Sequence, residues 1–95
     1  MTVDARDVAL KIINEVDADG AYANIALARE LGRRPLGDLD RRFVTELVYG
    51  TVKAGATLDW ILAHYSRRPL AKVEPVIRNI LRMGAYQLFF LSRVP

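Results

Sequence analysis

Arginines are the residues of this chain whose type and spacing suit a chemical role. Eleven of its fourteen basic residues are arginine. Six of them form adjacent pairs: Arg33 and Arg34, Arg41 and Arg42, and Arg67 and Arg68. Because a guanidinium has a planar fork that can hold a phosphate through two parallel hydrogen bonds, this usage favours an anionic partner. Solvation of helix surfaces is the alternative explanation for the same residues.

A second basic motif is the line formed by Arg78, Arg82 and Tyr86, which are spaced four residues apart. Side chains at this spacing stack on one face of a helix, where two cations repel each other. We therefore expect an anion to stabilise this line.

The sequence predicts no catalytic, cofactor-binding or metal site. It contains no cysteine, which excludes thiol nucleophiles and thiolate ligands. His64 has no acidic residue four positions away, and we interpret it as an ordinary part-buried histidine. Asp38 and Asp40, like Asp17 and Asp19, are two residues apart and suit caps and turns rather than a shared site. No glycine-rich nucleotide-binding motif is present.

The composition is that of one globular domain. The 95 residues are 52% hydrophobic and 26% charged, and no stretch reaches the roughly 20 apolar residues that span a bilayer. Met1–Arg6 lacks the segments of a secretory signal, which predicts a cytoplasmic protein. Residues 1–32 carry three basic and six acidic side chains, whereas residues 33–95 carry eleven and five. We therefore expect the cationic surface in the later two thirds of the chain.

Hydrophobic positions that recur every three to four residues predict five helices and no strand. The predicted helices are Ala5–Val16, Tyr22–Leu31, Asp38–Ala54, Leu58–Tyr65 and Pro75–Leu91. The first helix is predicted to be capped at its start by Thr2 or Asp4 and to end at Gly20. Gly32 is the predicted left-handed cap at the end of the second helix. The predicted N-terminal caps are Gly37 or Asp38 for the third helix and Thr57 for the fourth.

Two features of these helices predict how they pack. The third helix has an apolar stripe of Leu39, Phe43, Val44, Leu47, Val48 and Val52. Gly50 lies within this helix at a cost of about 1 kcal/mol relative to alanine, so we expect another helix to approach it closely. The fifth helix is apolar over more than half its circumference, and the chain stops soon after it, at Pro95. We therefore expect a module truncated at its C-terminal end, whose uncovered face forms a homodimer or exchanges helices.

Four sequence blocks carry a resemblance to a known family. They are Gly20–Asn24, Asp40–Lys53 with the string ELVYG, Leu58–Leu62 with LDW, and Val76–Leu91 with RNILRMGAYQL. In order and spacing, over essentially the whole chain, they resemble the amino-terminal NusB-like domain of RsmB (Sun) type small-subunit rRNA cytosine-5 methyltransferases.

This resemblance implies an all-α, NusB-like bundle of about five helices, with residues 1–95 as one RNA-binding domain. It also implies a parent rRNA (cytosine-5-)-methyltransferase, whose S-adenosylmethionine-dependent domain with its catalytic cysteine lies outside this chain. The chain itself is then not an enzyme and holds no cofactor. In the family the helical domain continues for two or three helices beyond the position of Pro95. Its expected role is to help hold small-subunit rRNA, by likeness to the antitermination factor NusB.

The first helix departs from the NusB pattern, in which a strongly basic first helix binds RNA. Here the helix holds Arg6 and Lys11 beside Asp4, Asp7 and Glu15. We therefore predict that most RNA contacts come from arginines elsewhere in the chain. The predicted RNA-binding residues are Arg6, Arg33, Arg34, Arg41, Arg42, Arg67, Arg68, Arg78 and Arg82.

The same side chains also have intramolecular interpretations. Arg41 and Arg42 can pair with acidic residues one turn away, namely Asp38 and Glu46. Arg78 and Arg82 can dock against further helices or the catalytic domain. The tyrosines that either stack on bases or pack in the core are Tyr22, Tyr49 and Tyr86. The alternative function is accordingly a structural or protein-interaction bundle, which packs on the catalytic domain or acts as an antitermination-type partner.

Overall fold

A computed structural model describes residues 4–91 and contains five α-helices, which confirms the predicted all-α class. The helices are α1 (Ala5–Asp19), α2 (Ala23–Arg33), α3 (Asp38–Lys53), α4 (Gly55–Tyr65) and α5 (Pro75–Tyr86). A 3₁₀ turn at Leu70–Lys72 lies between α4 and α5, and a π-helical turn at Gln87–Leu91 extends α5. No strand occurs within residues 4–91.

Local side-chain chemistry sets both ends of α1, as predicted. The Asp4 carboxylate accepts a hydrogen bond of 2.9 Å from the Arg6 amide, which satisfies a free N–H group at the helix start. Gly20 closes the helix in the left-handed conformation at φ 68°, and its amide donates to the Glu15 carbonyl. Thr2, the alternative cap, lies outside the described residues.

The predicted left-handed cap at Gly32 is wrong. Helix α2 continues through Gly32 to Arg33, and Gly20 is the one glycine with a positive φ between residues 4 and 91. Arg33 is the last residue of the helix and Arg34 its cap, and the guanidinium groups of both reach back to the Glu30 carboxylate, three and four residues earlier. These contacts favour helical geometry in the last turn.

The predicted cap at Thr57 is also wrong. Ala54 alone separates α3 from α4, because its amide donates to the Gly50 carbonyl and its own carbonyl accepts from the Leu58 amide. One residue thus satisfies backbone groups of both helices, and α4 begins at Gly55. Thr57 consequently lies inside the first turn of α4.

The core lies where α1 packs against α2, α3 and α5. Its most deeply buried apolar side chains include Val8, Ala9, Ile12, Ala26, Val44, Leu47, Val48 and Leu58. The apolar stripe of α3 is narrower than predicted, since Leu39 is 78% exposed and Val52 is 41% exposed. The centre of the bundle is therefore built from α1 and the middle of α3.

Helix α5 turns a partly polar side inward and much of its apolar side outward. Its buried side chains are Asn79, Met83, Ala85 and Tyr86. The exposed apolar side chains of α5 and its π-helical extension are Val76, Ile77, Ile80, Leu81, Leu88, Phe89 and Phe90. Four of these join Ile61, Leu62 and Tyr65 of α4 in lining an open apolar groove of about 620 Å³. The described residues alone thus leave an apolar face of the last helix uncovered.

Gly50 allows the close approach that its position in α3 predicts. A Cβ atom built on Gly50 would overlap the ring and hydroxyl of Tyr86, which is 8% exposed. In this position the Tyr86 hydroxyl donates a hydrogen bond of 2.9 Å to the Glu46 carboxylate, and the ring stacks on Phe90 with centroids 5.4 Å apart. Because both contacts hold the ring in place, it has little freedom to move away from a larger residue at position 50.

We predict that Gly50→Ala lowers the free energy of unfolding by about 1 to 3 kcal/mol, because the new methyl group overlaps the Tyr86 ring. The matched control is Gly32→Ala, which adds the same group to a helix where no atom lies within 4 Å. That control should stabilise the protein by about 0.5 to 1 kcal/mol. Urea unfolding followed by circular dichroism measures both. Equal effects of the two substitutions would contradict the packing of Tyr86 on Gly50.

Candidate nucleic-acid interface

The arginines of α5 lie inside a network of ion pairs. Arg82 donates from Nε and Nη2 to the two carboxylate oxygens of Asp59 on α4, at 2.6 and 2.7 Å. Its Nη1 also lies 3.9 Å from the Asp17 carboxylate of α1. The paired geometry raises the pKa of Arg82, chiefly through the hydrogen bonds to Asp59, with burial acting in the opposite direction. Arg82 therefore links α5 to both α1 and α4.

The other members of the α5 line also have partners within the chain. Arg78 donates to the Leu70 carbonyl at 3.4 Å and lies 3.7 Å from the Asp17 carboxylate. Burial raises the pKa of Tyr86, and the hydrogen bond to Glu46 adds to this effect. The anion that we expected to stabilise this line is thus supplied by carboxylates of α1, α3 and α4. Because Tyr86 is buried, base stacking is not open to it in this structure, whereas Tyr22 and Tyr49 are exposed.

A second group of charges surrounds Glu30 on α2, whose side chain is only 1% exposed. The Lys11 ammonium lies 3.0 Å from both Glu30 oxygens. Arg34 donates to one oxygen at 3.1 Å, and Arg33 approaches the other at 3.5 Å. Arg29 lies 3.6 Å from the carboxylate and also pairs with Glu15 of α1. We call this group the Glu30 cluster: Lys11, Glu15, Arg29, Glu30, Arg33 and Arg34.

The Glu30 cluster holds more positive charge than it neutralises. Burial raises the pKa of the Glu30 carboxylate, but hydrogen bonds from Lys11 and Arg34 and the nearby charges together lower it below its ordinary value. Glu30 is consequently ionised at neutral pH. Four cations face two carboxylates, and the cationic side chains are 34 to 65% exposed. The cluster therefore presents a net positive surface to solvent.

The start of α3 brings Arg41 to the end of α2, and Arg42 follows it in the sequence. Arg41 donates from Nη1 to the Leu31 carbonyl at 2.7 Å, so it binds a free backbone group at the C-terminus of α2. Its predicted partner, Asp38 or Glu46, is not the one observed. Arg42 is exposed and makes no ion pair within residues 4–91. We call the Glu30 cluster together with Arg41 and Arg42 the α2–α3 corner.

The charge of the α2–α3 corner stays positive when its acidic neighbours are counted. Asp38 and Asp40 lie in the first turn of α3. With them the corner holds six cations and four carboxylates, which leaves two positive charges. Such an excess on exposed side chains attracts a polyanion.

The remaining predicted arginines lie apart from these groups. Arg67 and Arg68 are exposed in the loop after α4, and neither forms an ion pair with another described residue. Arg6 is exposed, donates from Nε to the Gln87 side chain at 2.8 Å and lies 5.1 Å from the centre of the Phe43 ring. The structure therefore does not bring all nine predicted arginines to one surface.

His64 is exposed, whereas a part-buried side chain was expected. Its ring lies 4.4 Å from that of Trp60, and Nδ1 is 2.8 Å from the Trp60 carbonyl oxygen. Among residues 4–91, no three histidine, aspartate or glutamate side chains are grouped closely enough to bind a metal ion. Over the same residues, no helix combines the length and the apolar character needed to cross a membrane.

Sequence reasoning did not include Lys11, Arg29 or Glu30 in the site. The spacing of Glu30 to Arg33 and Arg34 is a local signal that could have identified one half of the cluster. The approach of Lys11 on α1 to Glu30 on α2, 19 residues later, is a tertiary contact without such a signal. Because residues 1–32 are net acidic, their charge pattern does not identify Lys11 and Arg29 as members of a basic site.

Nearly the whole chain is similar to known proteins. The model of the NusB family matches residues 3–95. The chain is 40% identical over 93 residues to a probable ribosomal RNA small subunit methyltransferase B of Synechocystis, covering 98% of this chain and 21% of that protein. It is 35% identical over 91 residues to the transcription antitermination protein NusB of Halorhodospira halophila, covering 96% of this chain and 58% of that protein. No solved structure matches.

We predict that Arg82→Met lowers the free energy of unfolding by about 1 to 3 kcal/mol, because it leaves the Asp59 and Asp17 carboxylates without their shared partner. Methionine keeps most of the apolar stem. Arg67→Met is the matched control on an exposed side chain and should change stability by less than about 0.5 kcal/mol. Urea unfolding measures both variants. If Arg82→Met were as stable as the control, the network would not hold α5 in place.

Proposed function

Since this chain belongs to the NusB family, we propose that it is an RNA-binding accessory domain that helps position small-subunit rRNA for cytosine-5 methylation. The observation that carries this proposal is the α2–α3 corner, where exposed cations outnumber carboxylates. RNA phosphates are the anions that such a surface suits, because their contacts position the nucleic acid without reading its sequence. Specificity then comes from RNA shape and from other parts of the protein.

The proposed parent is an rRNA (cytosine-5-)-methyltransferase, and residues 1–95 are proposed to form one domain of it. Support comes from the relatives named ribosomal RNA small subunit methyltransferase B, of which this chain spans about a fifth. S-adenosylmethionine would be held by a catalytic domain outside these residues, and we assign it no contact in the α2–α3 corner. A cytoplasmic location belongs to the same proposal.

Arg42 is the side chain best placed to report on RNA binding at the α2–α3 corner. It is exposed and has no ion-pair partner among the described residues, so its substitution disturbs the fold little. Arg67 and Arg68 are equally accessible and are proposed to form a second, smaller contact with RNA. Arg78 and Arg82 are proposed to act on RNA only indirectly, through the position of α5.

We predict that Arg42→Glu weakens binding of a fluorescein-labelled small-subunit rRNA hairpin about tenfold, because a charge-assisted phosphate contact is replaced by repulsion. The matched control is Lys53→Glu, which makes the same charge change at the other end of α3. Eleven residues separate the two positions, or about 16 Å of helix, which exceeds the screening length of about 8 Å at physiological salt. Fluorescence anisotropy gives the affinity of each variant.

The dependence on salt completes this experiment. The slope of log affinity against log salt concentration should be smaller in magnitude for Arg42→Glu than for the wild type. The difference should correspond to the loss of about one phosphate contact. The Lys53→Glu slope should remain close to that of the wild type. Absence of binding by the wild-type chain at low salt would contradict the proposed function. Equal loss of RNA affinity in both variants would show that binding depends on the net charge of the chain and not on the α2–α3 corner.

The apolar groove between α4 and α5 favours a second candidate function, a protein-interaction bundle. Its lining is almost free of polar groups, and Leu88, Phe89 and Tyr65 beside it are more than half exposed. Contiguous apolar surface of this kind is typical of an interface. We propose that the groove docks on the catalytic domain of the same protein. In a preparation of this chain alone, a second copy provides the matching apolar surface.

We therefore expect the isolated chain to form a concentration-dependent dimer, which Leu88→Glu converts to a monomer because the charge cannot be buried in an apolar interface. Leu39→Glu is the matched control, since Leu39 is exposed on α3 outside the groove. Light scattering after size-exclusion chromatography measures the mass of each. A wild-type monomer at high concentration would contradict self-association, and dimers of both variants would contradict a role for the groove.

A further inference from the structure

Glu30 is an unusual residue to lie at the centre of a basic surface. It is fully buried, and a buried carboxylate is stable only when charged or polar groups satisfy its oxygens. Here it faces four cations from two helices, which is more than a single carboxylate neutralises. One cation is enough to balance the charge of one carboxylate, so the other three cations add positive charge to this surface.

The contacts leave much of the donor capacity of these cations unused. Each guanidinium has five N–H donors. Arg34 uses Nε and Nη2 on one oxygen of Glu30, at 3.4 and 3.1 Å. Arg33 directs only Nη1 toward the other oxygen, at 3.5 Å, and its side chain is 65% exposed. The remaining donors of both arginines stay available to a further acceptor.

Among the described residues, Glu30 is the carboxylate that all four cations approach, whereas Glu15 pairs with Lys11 and Arg29 alone. Lys11 and three arginines carry like charges, which repel one another at short range. Long basic side chains also lose considerable conformational entropy when they are held in one orientation. A buried carboxylate beneath them offsets the repulsion and selects a common orientation. The exposed side of the cluster is thereby prepared for a second anion.

We propose that Glu30 is a positioning residue for a phosphodiester site, in which Arg33, Arg34 and Lys11 bind one phosphate of the RNA backbone from above the buried carboxylate. This proposal rests on the proposed function and deepens it. Glu30 does not touch the RNA and acts through the cations that it orients. The cluster has two positive charges more than its two carboxylates neutralise, which is enough to bind one RNA phosphate with its single negative charge.

Removing the Glu30 charge separates positioning from simple electrostatics. Glu30→Gln makes the surface more positive, so net charge alone predicts tighter RNA binding. Positioning predicts the opposite, with affinity about tenfold weaker because the charge-assisted contacts that orient the cations are lost. Asp40→Asn is the matched control. It removes the same charge from the same corner, on an exposed residue without an ion pair among residues 4–91, and should strengthen binding slightly.

The measurement is fluorescence anisotropy of the labelled rRNA hairpin at several salt concentrations, with circular dichroism as the test of folding. We expect Glu30→Gln to bind more weakly and with a smaller salt slope, whereas Asp40→Asn binds at least as tightly as the wild type. If Glu30→Gln binds as tightly as Asp40→Asn, the positioning role is overturned while RNA binding stands. If the wild type does not bind, the proposed function fails, and the positioning role fails with it.

A second variant keeps the test decisive if Glu30→Gln does not fold. Glu30→Asp retains the charge but withdraws the carboxylate by one methylene from Lys11 and Arg34. Because net charge is unchanged, a loss of affinity with a smaller salt slope supports positioning. Unchanged affinity and slope would overturn it.

Discussion

The ion pair of Arg82 with Asp59, together with Asp17, fixes the orientation of α5, and the apolar groove between α4 and α5 depends on that orientation. Charged side chains are costly to bury unless their partners are close and well aligned. The partners of the α5 line come from α1, α3 and α4, so their geometry is satisfied in one rotation of α5 about its axis. In that rotation Asn79, Met83 and Tyr86 face the bundle, and the apolar residues on the other side of α5 face outward.

The surface of the protein has regions of different chemistry, and the orientation of α5 determines the apolar one. The arginines of α5 are engaged with carboxylates, so they contribute little to an external site. The groove between α4 and α5 is apolar and suits a protein partner. The α2–α3 corner keeps an excess of exposed cations and suits nucleic acid. The two proposed functions are therefore compatible, because each uses a separate part of the surface.

Features with a local physical cause were predictable from the sequence. Asp4 caps α1, Gly20 ends it, and Gly50 accepts a close neighbour, because each effect depends on the residue type and its immediate position. Gly32 and Thr57 were predicted wrongly because contacts outside their own positions decide those helix boundaries. Glu30 holds the end of α2, and the continuity of the backbone through Ala54 determines the start of α4.

The orientation of α5 could not be predicted from its own residues. Hydrophobic periodicity favours burial of Ile77, Ile80 and Leu81, yet these side chains are 41 to 45% exposed. The polar line faces inward because its carboxylate partners lie on three other helices. Asp59, Glu46 and Asp17 are 23, 40 and 62 residues away in sequence from the α5 residues to which they are hydrogen-bonded, Arg82, Tyr86 and Asn79. Sequence patterns identify which side of a helix is apolar, but the partners available in the bundle decide which side is buried.

The candidate site illustrates the same limit for charge. Residues 1–32 are net acidic, yet they supply Lys11 and Arg29 to the basic corner. Two of their acidic groups add no free negative charge to that surface, because Asp17 pairs with α5 and Glu30 lies beneath the cations that it gathers. A surface potential is thus set by the charges that remain after intramolecular pairing. A carboxylate that orients several cations can strengthen a basic site that its charge alone would weaken.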